Sequence, residues 1–127
     1  MKRPPQKQIE KKLWEECRRI ALQTHKTPSG TIKCFTCDAH PISGSNCQLG
    51  HFIPRSVGGA FLRYDLRNLR WQCFRCNIHG GGMGAEFYRR LVEIEGQEYV
   101  DQLFRDKQRI TKARDYYEEL LEKYKLL

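Results

Sequence analysis

Apolar residues recur at steps of three and four near the start of the chain. Between about Gln8 and Thr24 they form one face of an amphipathic helix, and most basic side chains lie off that face. Pro28, Ser29 and Gly30 then end the segment. We therefore predict a basic arm and an amphipathic helix over residues 1–30. The apolar face comprises Ile9, Leu13, Trp14, Cys17, Ile20 and Ala21.

The centre of the chain, residues 31–96, has shorter elements. Residues 31–35 and 47–53 are strand-like runs, residues 69–72 lead into a cysteine pair, and residues 56–59 have the composition of a loop. A short helix is expected to begin at residues 75–77. The GGGMG run at 80–84 lacks the GK[ST] ending of a phosphate-binding loop, so we interpret it as a hinge. Residues 85–96 are predicted to be helical, with Phe87, Leu91 and Ile94 on one face.

The last segment, residues 97–127, carries apolar side chains at helical spacing from about Gln97 to Lys125. A single helix of that length has about eight turns, which is more than one small core requires. Its apolar face either folds back on the N-terminal helix or meets a second copy of the chain. The side chains available for this contact are Val100, Leu103, Phe104, Ile110, Tyr117, Leu120 and Leu121.

Cysteine spacing adds a chemical signal to this pattern. One CxxC pair consists of Cys34 and Cys37, and a second consists of Cys73 and Cys76. Each pair forms a tight turn whose thiolates can reach one ion at about 2.3 Å, so the spacing predicts a structural zinc site with four cysteine ligands. Cys17 lies within the helical pattern and is predicted to be a small buried apolar residue.

Composition and charge narrow the class of protein. A chain of 127 residues is expected to form one compact domain. It has no apolar run long enough to span a membrane and no signal-peptide pattern, so we expect an intracellular protein whose cysteines bind metal. The net charge is +8, and nine basic residues against three acidic ones lie within residues 1–33. This asymmetry favours a polyanionic partner.

A histidine and two asparagines between and beside the cysteine pairs suggest a hydrolytic site. Phosphodiester hydrolysis needs a base that deprotonates water and a divalent cation. His51 is a natural base if its other ring nitrogen is held by an acceptor, and an asparagine carbonyl can supply one. A second asparagine can help to bind a hard cation. Asn68 and Asn77 follow His51 at intervals of seventeen and nine residues.

These motifs carry a family resemblance. The order CxxC, GHFIPRS, a Gly-Gly loop and NLRWQCFRCN resembles the zinc-containing HNH (His-Me finger, ββα-metal) endonucleases. GHF, LRYDLRN, QCFRCN and EFYRRLVEIEGQEYVDQL are similar to the NinG/Rap recombination proteins of lambda-like phages, and the plan is similar to endonuclease VII-type Holliday junction resolvases. The resemblance covers residues 34–103. It implies an α+β fold, with a small ββα-metal (HNH) core held by a four-cysteine zinc site and flanked by N- and C-terminal amphipathic helices.

The resemblance also implies roles for individual residues. His51 would be the general base, Asn68 the residue that orients it, and Asn77 a ligand of a catalytic Mg²⁺ or Mn²⁺ ion. Many HNH enzymes place an aspartate directly before the base as a second cation ligand, whereas this chain has Gly50. The second ligand is therefore open: Asp65, His79, Gln48, or water and substrate phosphate.

Arginines around this constellation are candidates for DNA contacts, because the guanidinium fork matches phosphate geometry. We expect the strongest contact from Arg55, four residues after the base. The other candidates are Arg63, Arg67, Arg70 and Arg75 in the centre and Arg18 and Arg19 on the N-terminal helix.

We therefore predict a metal-dependent DNA endonuclease that acts in phage or prophage recombination, in the cytoplasm of a bacterial host cell. Branched DNA resembling a Holliday junction is the expected substrate, and a homodimer built on the 97–125 helix would supply two active sites. One alternative is a non-catalytic zinc protein that binds DNA, in which His51 is only a strand residue. Another is a module that recruits a partner through its C-terminal helix.

Overall fold

The computed structural model describes residues 3–109 and 112–127, which form a helix-rich α+β arrangement. Two short strands form the sheet, and helices precede and follow it along the chain. None of the helices in the described ranges is long and apolar enough to cross a membrane. In chain order the elements are α1 (Gln6–His25), β1 (Gln48–His51), α2 (Arg55–Arg63), β2 (Leu69–Gln72), α3 (Gly84–Glu95), α4 (Gln97–Asp106) and α5 (Ala113–Lys125).

Helix α1 confirms the helix predicted from the N-terminal pattern. It begins directly after Pro5, whose fixed φ suits a helix start and whose carbonyl accepts from the first turn. Its buried residues are five of the six predicted ones, and Trp14 is half-buried. Burial of Cys17 in this face confirms its role as a small apolar residue.

Strands β1 and β2 form an antiparallel hairpin that places the predicted base. Leu49 pairs with Trp71, Gly50 with Arg70, and His51 with Leu69. Because side chains alternate across a strand, Gln48 and Gly50 of β1 share one face with Arg70 and Gln72 of β2. Residues 31–35 were predicted to be a strand, but they do not form one. They contribute a single bridge between Ile32 and Ile42.

The buried apolar residues form two separate clusters. The larger cluster joins α1, α5 and the sheet with cysteines of the two CxxC pairs, and it includes Leu13, Leu69 and Leu121. The smaller one packs α3 and α4 beneath the segment that follows β1, around Phe87 and Val100. The residues that follow His51 in sequence are therefore fixed by packing.

Two predicted elements differ in the structure. The segment predicted as a loop at 56–59 lies inside α2, where Pro54 accepts from Val57 and Gly58, and the helix is kinked at Gly59 (φ 72°). The helix predicted over 97–125 is split into α4 and α5. Gln108 takes a left-handed conformation (φ 59°), and its backbone N–H donates to the Gly58 carbonyl, which ends α4 by a tertiary contact.

The apolar face assigned to a dimer is largely covered within one chain. Helix α5 packs against α1 and buries Tyr117, Leu120 and Leu121, while Val100 and Leu103 are buried against α3. Phe104 is partly exposed, and Ile110 lies outside the described residues. Ile94 was predicted to be part of the α3 apolar face but is 65% exposed. The buried side chains of this face are therefore covered within one chain, which is the intramolecular alternative. A homodimer stays a prediction, and it would have to form through another surface.

Candidate nuclease site beside a four-cysteine cluster

The four predicted cysteines meet at one point. Their sulfur atoms all lie within 4.8 Å of one another, and Cys37 Sγ is 3.7 Å from Cys73 Sγ. Tetrahedral zinc with sulfur ligands at about 2.3 Å requires a sulfur separation close to this value. All of them are free thiols. The cluster is therefore arranged to hold one metal ion and is compatible with a structural zinc, as the spacing predicts.

Among the cysteines of the two CxxC pairs, hydrogen bonds favour the thiolate form of Cys34, whereas burial raises the pKa of Cys37 and of Cys76. Burial opposes ionisation of Cys34, but donors from the backbone of Cys73 and from Thr36 lower its pKa to about 6. The backbone N–H of Cys73 donates a hydrogen bond to Cys34 Sγ at 3.3 Å, which joins the two CxxC pairs directly. Because Asn77 directly follows Cys76, the cluster also fixes the position of the predicted cation ligand.

His51 lies at the end of β1 and is held by main chain. Its Nε2 is 2.8 Å from the carbonyl oxygen of Arg63 at the end of α2. A carbonyl only accepts, so Nε2 carries the proton in the neutral ring and Nδ1 keeps its lone pair. Trp14 of α1 stacks on the imidazole, with ring centroids 5.7 Å apart and planes 5° apart. Nδ1 has no hydrogen-bond partner among residues 3–109 and 112–127.

The surroundings of His51 favour its neutral form. Burial lowers the pKa of the imidazole below its usual range, and the positive charges of Arg55 and Arg63 lower it further. The hydrogen bond to the Arg63 carbonyl acts in the opposite direction, yet the net shift is downward. At neutral pH the ring is therefore predominantly a base with a free Nδ1.

The resemblance implies that Asn68 orients His51, but the hydrogen bonds of the Asn68 side chain go to other groups. Its side chain is fully buried and forms hydrogen bonds to the backbone of Ile53: Oδ1 accepts from the N–H at 2.8 Å, and Nδ2 donates to the carbonyl at 3.0 Å. The group that orients the His51 ring is the Arg63 carbonyl. Asn68 instead fixes the turn after His51, so its effect on the base is indirect.

Asn77 and His51 line the same cavity, which has a volume of about 440 Å³. Asn77 lies in the π-helical turn Arg75–His79, where a short helix was expected, and its Nδ2 donates to Gln48 Oε1 at 2.8 Å. Oδ1 of Asn77 has no hydrogen-bond donor among the described residues, so it is the free oxygen of this amide. The lining residues are Trp14, Leu49, His51, Arg55, Arg63, Tyr64, Asn77 and Ile78.

Only two of the predicted arginines line this cavity, Arg55 and Arg63. Arg67 forms ion pairs with Asp65 and Asp106, so its guanidinium is engaged in linking the turn before β2 to α4. Arg70 is 5% exposed and donates to main-chain carbonyls and to the Tyr99 hydroxyl. Both guanidinium groups are thus bound to protein partners in this structure, and a DNA contact from Arg67 or Arg70 stays a prediction.

The remaining arginines lie away from the cavity. Arg75 is exposed at the start of the π-helical turn. Arg18 is exposed and lies over the Trp71 ring at 5.0 Å. Arg19 is bound to Glu16 and to carbonyls at the end of the chain, so it links α1 to α5. Arg18 and Arg75 keep their predicted role as candidate DNA contacts.

Three other features of the site were not predicted from sequence. Trp14 stacks on the base although the helical pattern marks it only as a core position, and the orienting acceptor is a main-chain atom. Gln72, a polar residue in a strand whose four positions are all buried, approaches Gly50. The cation-ligand alternatives at Asp65 and His79 are engaged elsewhere, Asp65 with Arg67 and His79 with the Phe74 ring. Gln48 orients Asn77 instead.

The chain belongs to a phage protein family. Residues 5–127 match the family described as NinG: Bacteriophage Lambda NinG protein. Proteins named "Protein ninG" from Escherichia phage 933W and Enterobacteria phage VT2-Sa are each 29% identical to it over 72 residues, which is 57% of this chain and 34% of each relative. The chain thus spans about a third of the length of these relatives. No solved structure matches it.

Proposed function

We propose that this NinG-family protein is a metal-dependent DNA endonuclease with His51 as its general base, built on a zinc-supported HNH core. The observation that carries the proposal is the hydrogen bond from His51 Nε2 to the Arg63 carbonyl. It fixes the tautomer in which Nδ1 accepts a proton, and it places that nitrogen on a ring that lines the cavity with Asn77 and Arg55.

The reaction is hydrolysis of a phosphodiester bond. His51 Nδ1 takes a proton from water, the water oxygen forms a bond to phosphorus, and the bond from phosphorus to the leaving sugar oxygen breaks. The leaving oxygen takes a proton from solvent, and His51 later returns its proton to solvent. The low pKa of His51 keeps Nδ1 unprotonated at the start of this cycle.

The cation proposed for this site is Mg²⁺ or Mn²⁺. Asn77 Oδ1 is a neutral hard oxygen that is left free by the bond from Nδ2 to Gln48, and Asn77 would hold the cation beside the phosphate. When bound, the cation would stabilise negative charge on the phosphate and the leaving oxygen. Arg55 and Arg63 would bind the neighbouring phosphate oxygens.

Branched DNA is the proposed substrate, and phage or prophage recombination the proposed process. This part of the proposal rests on the resemblance to junction resolvases and on membership of the NinG family. The basic balance of the chain, +8 overall, supports a nucleic acid partner.

The test is cleavage of matched substrates by purified, zinc-loaded protein. A four-way junction, a flap and a linear duplex of the same sequence would be incubated with Mg²⁺, with Mn²⁺, and with a chelator that leaves the zinc in place. We expect cation-dependent cuts, fastest on the branched substrates. Salt-sensitive binding without cuts on any substrate would instead support the non-catalytic zinc DNA-binding protein.

A further inference from the structure

Gly50 occupies a position where a side chain has no room. A Cβ atom built on Gly50 would lie 1.9 Å from Gln72 Oε1 and 2.9 Å from Asn77 Oδ1. The first distance is far below any real contact of a Cβ atom, and φ at Gly50 is not in the left-handed region. The glycine is therefore required by the approach of Gln72, and backbone conformation does not require it.

The orientation of the Gln72 amide is fixed by its partners. Nε2 donates to the Gly82 carbonyl at 2.9 Å and to Thr36 Oγ1 at 3.0 Å. Since a carbonyl cannot donate, the nitrogen must face Gly82, and Oε1 must face Gly50. Gln72 is fully buried, and its Oε1 accepts no hydrogen bond from the described residues. A buried amide oxygen left unpaired costs about 1–3 kcal/mol, so a cation or a water bound to Oε1 would be stabilising.

The second oxygen at this point is Asn77 Oδ1. Its amide is oriented in the same way, since Nδ2 donates to Gln48 Oε1. Two amide oxygens thus converge on the volume that a side chain at position 50 would fill, and neither amide turns its nitrogen toward it. Converging oxygens without a donor between them repel each other and favour a cation.

We propose that Gln72 Oε1 is the second protein ligand of the catalytic cation and replaces the carboxylate that Gly50 lacks. The inference rests on the proposed nuclease function. The ligand comes from β2 and not from β1, and it reaches the same point because positions 50 and 72 share one face of the hairpin. Gln72 is therefore a metal ligand. The four-cysteine cluster fixes its position, because Gln72 directly precedes Cys73 in the chain.

A site made of two neutral amides binds a cation weakly by itself. Among the described residues, those that line the adjacent cavity include two arginines and no acidic residue. Without a carboxylate, most of the attraction for Mg²⁺ or Mn²⁺ must come from the DNA phosphate. Cation binding is accordingly expected to be much tighter in the presence of DNA than in its absence.

The test measures binding of Mn²⁺ directly, by loss of the electron paramagnetic resonance signal of free Mn²⁺. The zinc-loaded full chain is titrated with and without junction DNA. Gln72→Ala should weaken Mn²⁺ affinity with DNA at least tenfold, and Asn77→Ala should do the same. Gln23→Ala, at an exposed position of α1, is the matched control and should bind as the wild type does.

A compensating variant separates a ligand from a merely structural glutamine. Gly50→Asp alone should bind Mn²⁺ poorly, because the new side chain collides with Gln72. In Gly50→Asp/Gln72→Ala the collision is removed and a carboxylate reaches the same point, so affinity should recover to the wild-type level or above. The double variant lacks the bonds to Thr36 and Gly82 as Gln72→Ala does, so recovery shows that the missing oxygen ligand, and not the loss of those bonds, limits Mn²⁺ affinity in Gln72→Ala.

The outcomes distinguish the two proposals. Wild-type affinity in Gln72→Ala, or no recovery in the double variant, overturns the assignment of Gln72. If Asn77→Ala still weakens binding and the wild type still cuts DNA, the nuclease proposal stands without it. A wild-type chain that neither binds Mn²⁺ in the presence of DNA nor cuts overturns both.

Discussion

The Nε2 atom of His51 and the carbonyl oxygen of Arg63 are 2.8 Å apart, and this contact joins the end of β1 to the end of α2. Because the acceptor belongs to the main chain, the direction of the imidazole depends on the position of a helix end. Packing of α2 against α4 and α5 holds that helix end in place. The proposed base is thus oriented by the fold itself.

The first prediction concerns the pKa of His51. Burial and the charges of Arg55 and Arg63 depress it, so the imidazole should titrate below the ordinary histidine value of about 6.5. The ring is then neutral at pH values above its lowered pKa and becomes charged only as the pH falls through that pKa. Nuclear magnetic resonance titration of the ring protons, assigned by their loss in His51→Ala, would measure it.

Arg55→Gln removes one of the charges that lower this pKa. The His51 titration should move upward in that variant, toward the ordinary value. A matched change at the exposed Arg89, which pairs with glutamates on α3, should leave the titration in place. A His51 pKa above the ordinary value would contradict the described environment.

Asn68→Ala should destabilise the fold. It leaves the buried N–H and carbonyl of Ile53 without partners, and each such group costs about 1–3 kcal/mol, so a loss of about 2–6 kcal/mol is expected in urea unfolding. His51→Ala, which removes one hydrogen bond and the stacking contact with Trp14, should cost less, about 1–2 kcal/mol. Equal stabilities of the two variants would show that Asn68 does not hold the turn.

The sequence predicted the elements whose signals are local. Helix α1 followed from a complete apolar face, and the cysteine cluster followed from pair spacing that is specific to metal sites. The cavity was predicted in part, since His51 and Asn77 meet in it as expected. These residues were identifiable because metal and acid–base chemistry restricts the side chains that can serve.

The errors occurred where distant contacts decide the structure. Helical spacing continues through residues 97–125, and nothing in the pattern marks the break that Gln108 makes by binding Gly58. The orienting acceptor on His51 could not be identified, because every residue has a carbonyl. Gln72 was missed for a similar reason: a glutamine beside a cysteine carries no signal until burial shows its oxygen to be unpaired.

The cysteine cluster should contain about one zinc per chain and should be required for folding. Cys73→Ser removes one of the four sulfur ligands, whose Sγ lies 3.7 Å from Cys37 Sγ of the other CxxC pair, so the variant should lose its zinc and much of its thermal stability. Cys47→Ser, at a half-buried cysteine outside the cluster, is the control and should keep both. Metal analysis with thermal unfolding decides the matter. A folded, zinc-free Cys73→Ser variant would contradict a structural metal.

Contacts between α1 and α5 should stabilise a single chain. Leu121→Ala removes a buried side chain and should cost about 2–5 kcal/mol, whereas Leu126→Ala, at an 87% exposed position, should cost almost nothing. The unfolding midpoint should be independent of protein concentration. A midpoint that rises with concentration would show that α5 is covered by a second chain.

His51 is the proposed general base of this nuclease site. The most direct measurement is the single-turnover cleavage rate of junction DNA by His51→Ala and wild type, at saturating Mg²⁺ or Mn²⁺. His40→Ala, at an exposed histidine bound to Thr31, controls for contaminating nucleases and for loss of fold. We predict a rate lower by about two to four orders of magnitude for His51→Ala, with DNA binding retained, and a wild-type rate for His40→Ala. Cleavage by His51→Ala at the wild-type rate would contradict the account.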